Sequence, residues 1–250
     1  MQPEEEVRRS PLLPASWELP DAIVRRVGDT VGRQRAMIAE GHLLLLLHAV
    51  PDPEVADRQP ALFWRAPDGA WRASVGRGAG ATALMAHLKA YDDAVEALEK
   101  RTEAAETADD WFALIRWVVP LHRSARNMLA TLQSAREALP DARQLIIARD
   151  LAIDVERGAE LVHEEAEHGL RFAQAQQAEA QAEAAEQMAR AGHRLNMLAA
   201  LFLPLTAVGG LFGMNLPFGF EADPWMFWAA LGGSIAVGLL FSRQLRASRR

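Results

Sequence analysis

Leu195-Asn196-Met197-Leu198-Ala199-Ala200-Leu201-Phe202-Leu203-Pro204-Leu205-Thr206 opens an apolar run that ends at Gly213-Met214-Asn215, and a second apolar run begins at Trp225. Between Arg194 and Arg243 the 250-residue chain has no lysine or arginine, and its only acidic residues there are Glu221 and Asp223. A bilayer core about 30 Å thick takes roughly 20 apolar helical residues. Two membrane spans, at about 195–213 and 225–242, are the natural expectation, joined by a loop at 214–224. Arg190 and Arg194 precede the first run, and Arg243, Arg246, Arg249 and Arg250 follow the second. The positive-inside rule then places both termini in the cytoplasm and the loop outside, with Trp225 and Trp228 at an outer aromatic belt.

Composition narrows the function classes. The chain has no cysteine, which excludes a disulfide framework and a thiolate metal site. Its net charge of −6 gives no support to nucleic-acid binding. The acidic start, Glu4-Glu5-Glu6, has no apolar core of the kind a cleaved signal peptide needs. No Ser/His/Asp set, paired-carboxylate constellation or phosphate-binding loop is present, so no enzyme is expected. His163 and His168 bracket Glu164-Glu165-Ala166-Glu167, but a helical zinc pair needs a spacing of four and these are five apart.

Upstream, residues 1–20 are proline-bearing and aperiodic, and 21–40 is expected to be helical. The continuous apolar stretch 43–50 is short enough for a buried strand. Segments 61–66 and 70–75 flank Pro67-Asp68-Gly69, a hairpin turn in which proline fixes φ and glycine supplies positive φ. The glycine-rich break at 76–80 reads as a linker. Helices are expected over 82–106 and 109–138, the latter disturbed at Pro120, and then from 141 to 213, on the order of 110 Å at 1.5 Å per residue. On this helix Leu145, Ala148, Ala152, Val155, Ala159, Val162, Ala166, Gly169 and Ala173 alternate spacings of three and four. Such a heptad seam of small residues brings helices close together. Residues 174–189, mostly Ala, Gln and Glu, read as a stiff polar stalk.

The block Phe202-Leu203-Pro204-Leu205-Thr206, followed at matching distance by Gly213-Met214-Asn215, resembles the first transmembrane helix of the CorA family of divalent-cation channels and transporters. The match is close over roughly the last quarter of the chain and architectural before it. The implied fold class is a mainly α membrane protein, with a small α/β cytosolic head and a long stalk helix continuous with the first of two C-terminal transmembrane helices. The organisation would be a head at 1–80, a helical region at 81–194, a pore domain at 195–242 and a basic tail at 243–250. The head is shorter than is usual in the family.

The resemblance implies a homo-pentamer in a bacterial-type inner membrane, multi-pass, taking in magnesium down the membrane potential without ATP. Magnesium holds its waters firmly and prefers octahedral oxygen ligands. A ring of Asn215 amides, with Gly213 and Met214 shaping the turn, would therefore select the hydrated ion. Thr206, Leu203, Ala199, Leu195 and Gly210 share one helical face and would line the pore, Thr206 as a polar ring and Leu203 and Leu195 as constrictions. Glu221 and Asp223 would attract cations at the outer mouth, although the family's usual Met-Pro-Glu element is absent from the loop. A polar residue common near the inner membrane edge is replaced by Ala189. Asp92, Asp93, Glu96 and Glu99, or Glu103, Glu106, Asp109 and Asp110, are candidates for a regulatory metal site. No cofactor is expected beyond magnesium as cargo and regulatory ion. Two alternatives stay open: zinc, cobalt or nickel as cargo, and a non-conducting membrane-anchored scaffold or sensor.

Overall fold

A computed structural model describes residues 9–55, 57–76, 80–213 and 224–247. The chain divides into two compact units, one extending through Ala175 and the other beginning at Gln176.

The first unit is built around the leucine run. Strand β2 (His42–His48) carries five consecutive leucines, Leu43 to Leu47, all fully buried. Alternate strand residues point to opposite faces, so a strand buried throughout needs cover on both sides. Leu43, Leu45 and Leu47 join Phe63 in a core shared with helices, while Leu44 and Leu46 join Met37, Leu62 and Trp64 in a second core. The second core is closed by the N-terminal segment through Leu13, Trp17, Ile23, Val24 and Val27. Both edges of β2 are paired antiparallel, with β1 (Arg35–Ala39) and β3 (Pro60–Arg65), and β4 (Trp71–Ala73) pairs on the far side of β3. The hairpin at Pro67-Asp68-Gly69 is present, with Gly69 at φ 87°.

The expected helix over 21–40 is corrected. Only α1 (Asp21–Val24) is helical there, and Arg35–Ala39 is strand. Gly28 and Gly32 weaken a helix in this stretch, and β1 satisfies the backbone of one edge of β2. The turn between them, Glu40-Gly41, has φ of 51° and 75°, the left-handed pair that a two-residue hairpin turn demands.

Three long helices follow: α2 (Gly80–Thr102), α3 (Ala108–Ala138) and α4 (Arg143–Gly213). Gly80 lies against the backbone of Arg72, so no side chain fits where α2 begins. A capping box between Thr107 and Asp110 starts α3. Pro120 sits inside α3 without ending it, although its missing N–H leaves one turn unbonded. The small-residue seam of α4 faces inward: Leu145, Ala148, Ala152, Ala159 and Ala166 are fully buried against α2 and α3, and Val155 and Val162 nearly so. Gly158 approaches Val95 of α2 and Gly169 lies under the Trp111 ring of α3. Residues 174–189 are exposed throughout.

The second unit holds the rest of α4 and α5 (Pro224–Ala247). Here the expected fold class, a membrane protein with two C-terminal spanning helices, is overturned: among the described residues no helix is long and apolar enough to cross a membrane. Along α4, Asn196, Pro204, Thr206 and Gly209-Gly210 dilute the apolar residues. Gly232, Gly233, Ser234 and Gly238 do the same along α5, which then reaches Arg243. The architecture shown is a small β-sheet head with a long helix.

Packing at the seam gives a direct check. Enlarging a fully buried alanine forces apart helices already in contact, at a cost of about 1–3 kcal/mol. Ala159→Leu is expected to lower the melting temperature, whereas Glu160→Leu, one residue along on the exposed side, should leave it nearly unchanged by circular dichroism.

Candidate functional site

The five residues expected to line a pore share one face of the second unit's α4. Successive residues turn about 100° around a helix. Leu195, Ala199, Leu203, Thr206 and Gly210 therefore cluster on one side, and all five are exposed, Leu195 at 67% and Leu203 at 72%. Their opposite side is half-buried at Met197, Ala200, Pro204 and Val208. Helix α5 lies close there, because a Cβ built on Gly238 would sit 3.1 Å from the Ala200 carbonyl oxygen. The Thr206 hydroxyl donates to the Phe202 carbonyl at 2.8 Å. That bond uses the hydroxyl proton and leaves the oxygen able to accept. Gly213 is the last residue of α4 and is exposed. Met214, Asn215, Glu221 and Asp223 lie outside the described residues.

The acidic candidates on α2 are all exposed, and Asp92, Asp93 and Glu96 are engaged locally. Lys89 bridges Asp92 at 2.7 Å and Asp93 at 2.9 Å, and Lys100 bridges Glu96 at 2.7 Å. The hydrogen bonds to Asp92 and Asp93 hold the Lys89 amine above its ordinary pKa. Glu99 is exposed on the same helix. Asp110 serves the α3 cap, and its hydrogen bonds from Thr107 lower its carboxyl pKa. Among the described residues no group of three or more His, Asp or Glu side chains could hold a metal ion.

A buried polar network escaped sequence reasoning. The Tyr91 hydroxyl lies 2.9 Å from the His48 carbonyl, 3.0 Å from that of Ala49 and 2.7 Å from the Ser124 hydroxyl. Gln34 donates to Ser124 at both its carbonyl and hydroxyl. The network ties the end of β2 to α2 and α3, and it borders a cleft of about 190 Å³ lined in part by Arg58, Pro120, Arg123 and Asn127. The available signal was Tyr91 itself, the single tyrosine of the chain, at an inward position of a helix. Burial pushes the Tyr91 hydroxyl up to about 12, opposed by its hydrogen bond with Ser124. His87, packed between Phe63 and Tyr91, is pushed down to about 4 by burial.

The family model described as CorA-like Mg2+ transporter protein matches residues 81–244, from the start of α2 through most of α5. The chain belongs to this CorA-like family. The family is one of transporters, so the chain is not an enzyme, and membership points to divalent-cation transport at a membrane. Among solved structures the chain is similar to the full-length CmaX protein, at a TM-score of 0.57 and 17% identity, covering 93% of this chain and 83% of that one. It also matches the CorA magnesium transporter from Methanocaldococcus jannaschii, at a TM-score of 0.44 and 13% identity, covering 87% and 80% respectively. The likeness to CmaX is one of fold. Among curated proteins none matches the chain.

Half-buried His87 makes stability depend on pH. Its folded pKa of about 4 lies below the ordinary 6.5, so the unfolded chain binds the extra proton between those values. The stabilising contribution is complete above pH 6.5 and is lost as pH falls toward 4, amounting to about 3 kcal/mol. His48, also lowered by burial, acts in the same direction. The melting temperature should fall across this window, and His87→Phe should flatten the fall.

Proposed function

We propose that this CorA-like protein carries divalent cations, magnesium foremost, across a cell membrane through a path lined by α4 from several copies. The family match carries the reading, because it runs through the exposed face of α4 and the Gly213-Met214-Asn215 tripeptide. Amide oxygens of Asn215 would orient the waters of a hydrated ion without binding it too tightly to leave. Thr206, its hydroxyl proton given to the Phe202 carbonyl, would offer a second acceptor ring. Leu203 and Leu195 would constrict the path, with Ala199 and Gly210 between and beyond them. Glu221 and Asp223 would raise cation concentration at the outer mouth.

A single copy leaves this face uncovered, so the path requires self-association. Ile147, Leu151, Leu161 and Phe172 are also exposed on α4, which favours a homo-oligomer, with a pentamer as the expected state. Both termini would be cytoplasmic in a bacterial-type inner membrane. An inside-negative potential contributes about 2.3 kcal/mol per elementary charge per 100 mV, so a dication enters without ATP. Cytosolic metal held between copies, with Asp92, Asp93, Glu96 and Glu99 as candidate ligands, would regulate the path.

The test is magnesium uptake into proteoliposomes with an inside-negative potential, comparing the native chain with Asn215→Ala. Native uptake, with selectivity lost in the variant, is the expected result. Uptake that ignores the substitution removes Asn215 from the filter. Preference for zinc, cobalt or nickel over magnesium reassigns the cargo. No uptake of any of these ions by folded oligomer overturns transport in favour of a scaffold, the role that Ala189 and the short head favour.

A further inference from the structure

We infer that the cleft between the β2–β3 connection and α3 binds one small organic carboxylate with a compact apolar body, clamped by Arg58 and Arg123. The cleft, of about 190 Å³, lies within the first unit and shares no lining residue with the α4 face or the acidic candidates of α2. Its inner wall is fixed by hydrogen bonds. His48 is buried, and its Nε2 lies 2.8 Å from the Gly32 carbonyl, which can only accept, so that nitrogen carries the proton. Tyr91 has one proton for the His48 and Ala49 carbonyls, so it accepts from Ser124, which in turn accepts from Gln34. The Ser124 hydroxyl therefore has no proton left for a ligand.

The mouth supplies the donors. Arg58 comes from the β2–β3 connection, and Arg123 and Asn127 sit one turn apart on α3. Among the described residues neither guanidinium forms an ion pair or a hydrogen bond, although Asp52 and Asp57 line the same cleft. Asp52 serves its own loop, where Oδ1 accepts from the Glu54 N–H at 2.9 Å. Burial, opposed by the Gly32 bond and then reinforced by Arg58, lowers the His48 pKa, so the charge felt at the wall is positive. Planar guanidinium forks match the two oxygens of a carboxylate, which each can take in a bidentate pair. Val50, Pro51 and Pro120 add apolar wall. A cavity of about 150 Å³ holds a benzene ring, so this one suits a body of that size with its carboxylate at the mouth. A bound ligand would bridge the β2–β3 connection to α3. The site does not depend on the transport reading or on its cargo.

The test titrates the full-length protein with benzoate by calorimetry, alongside benzylamine and inorganic phosphate. The expected result is one saturable benzoate per chain, with weaker binding of the other two. Arg58→Gln and Arg123→Gln should each weaken benzoate binding by about tenfold or more. Arg126→Gln, on α3 but outside the cleft, should leave it unaltered. All three side chains are exposed, so the variants should melt as the native chain does. Bound benzoate should also raise the His48 pKa, read by proton NMR, because it offsets the Arg58 charge. The proposal is overturned by the absence of saturable benzoate binding, or by equal or tighter binding of phosphate or benzylamine. Affinity that survives both arginine substitutions, an equal loss in Arg126→Gln, or a His48 titration indifferent to benzoate overturns it as well.

Discussion

Five adjacent leucines in β2 cannot be satisfied by one hydrophobic layer. Alternation sends Leu43, Leu45 and Leu47 to one face and Leu44 and Leu46 to the other, and all five are fully buried. Each buried leucine contributes about 1.5–3 kcal/mol relative to exposure. The strand must therefore be flanked on both edges and covered on both faces. That demand recruits Arg35–Ala39 into the sheet, draws the N-terminal segment across one face, and sets α2 and α3 on the other. A head of few residues thus acquires two cores.

The second dependence is on side-chain size along α4. Alanine and glycine at Ala148, Ala152, Gly158, Ala159, Ala166 and Gly169 let its backbone approach α2 and α3 closely. The same helix continues with residues 174–189 exposed and then carries the exposed face from Leu195 to Gly210. One helix thus combines a buried seam, a solvated stretch and an uncovered apolar face.

Much of this was legible from local signals. Pro67-Asp68-Gly69 marks its hairpin because φ is chemically dictated there, and the α4 seam is visible as a repeat. The β1 strand was not legible, since Arg35–Ala39 has no strong pattern and becomes a strand only by pairing with β2. Hydropathy suggested two spans, an expectation the described helices do not meet. Of the candidate filter, Gly213 ends α4, while Met214 and Asn215 lie outside the described residues. The His122–His163 contact was invisible because its members are 41 positions apart by number. Only the packing of α3 on α4 joins them. The sequence paired His163 with His168 instead, and His168 is exposed.

Tyr91 has a consequence of a different kind. Its hydroxyl meets the end of β2 and the α3 serine that also binds Gln34. Because the chain has one tyrosine, the ultraviolet band of its phenolate belongs to a single known place. Burial that raises its pKa to about 12 keeps that band silent under ordinary conditions. The first appearance of the band at a lower pH would report separation of helix from strand at that one junction, giving the head a built-in optical probe.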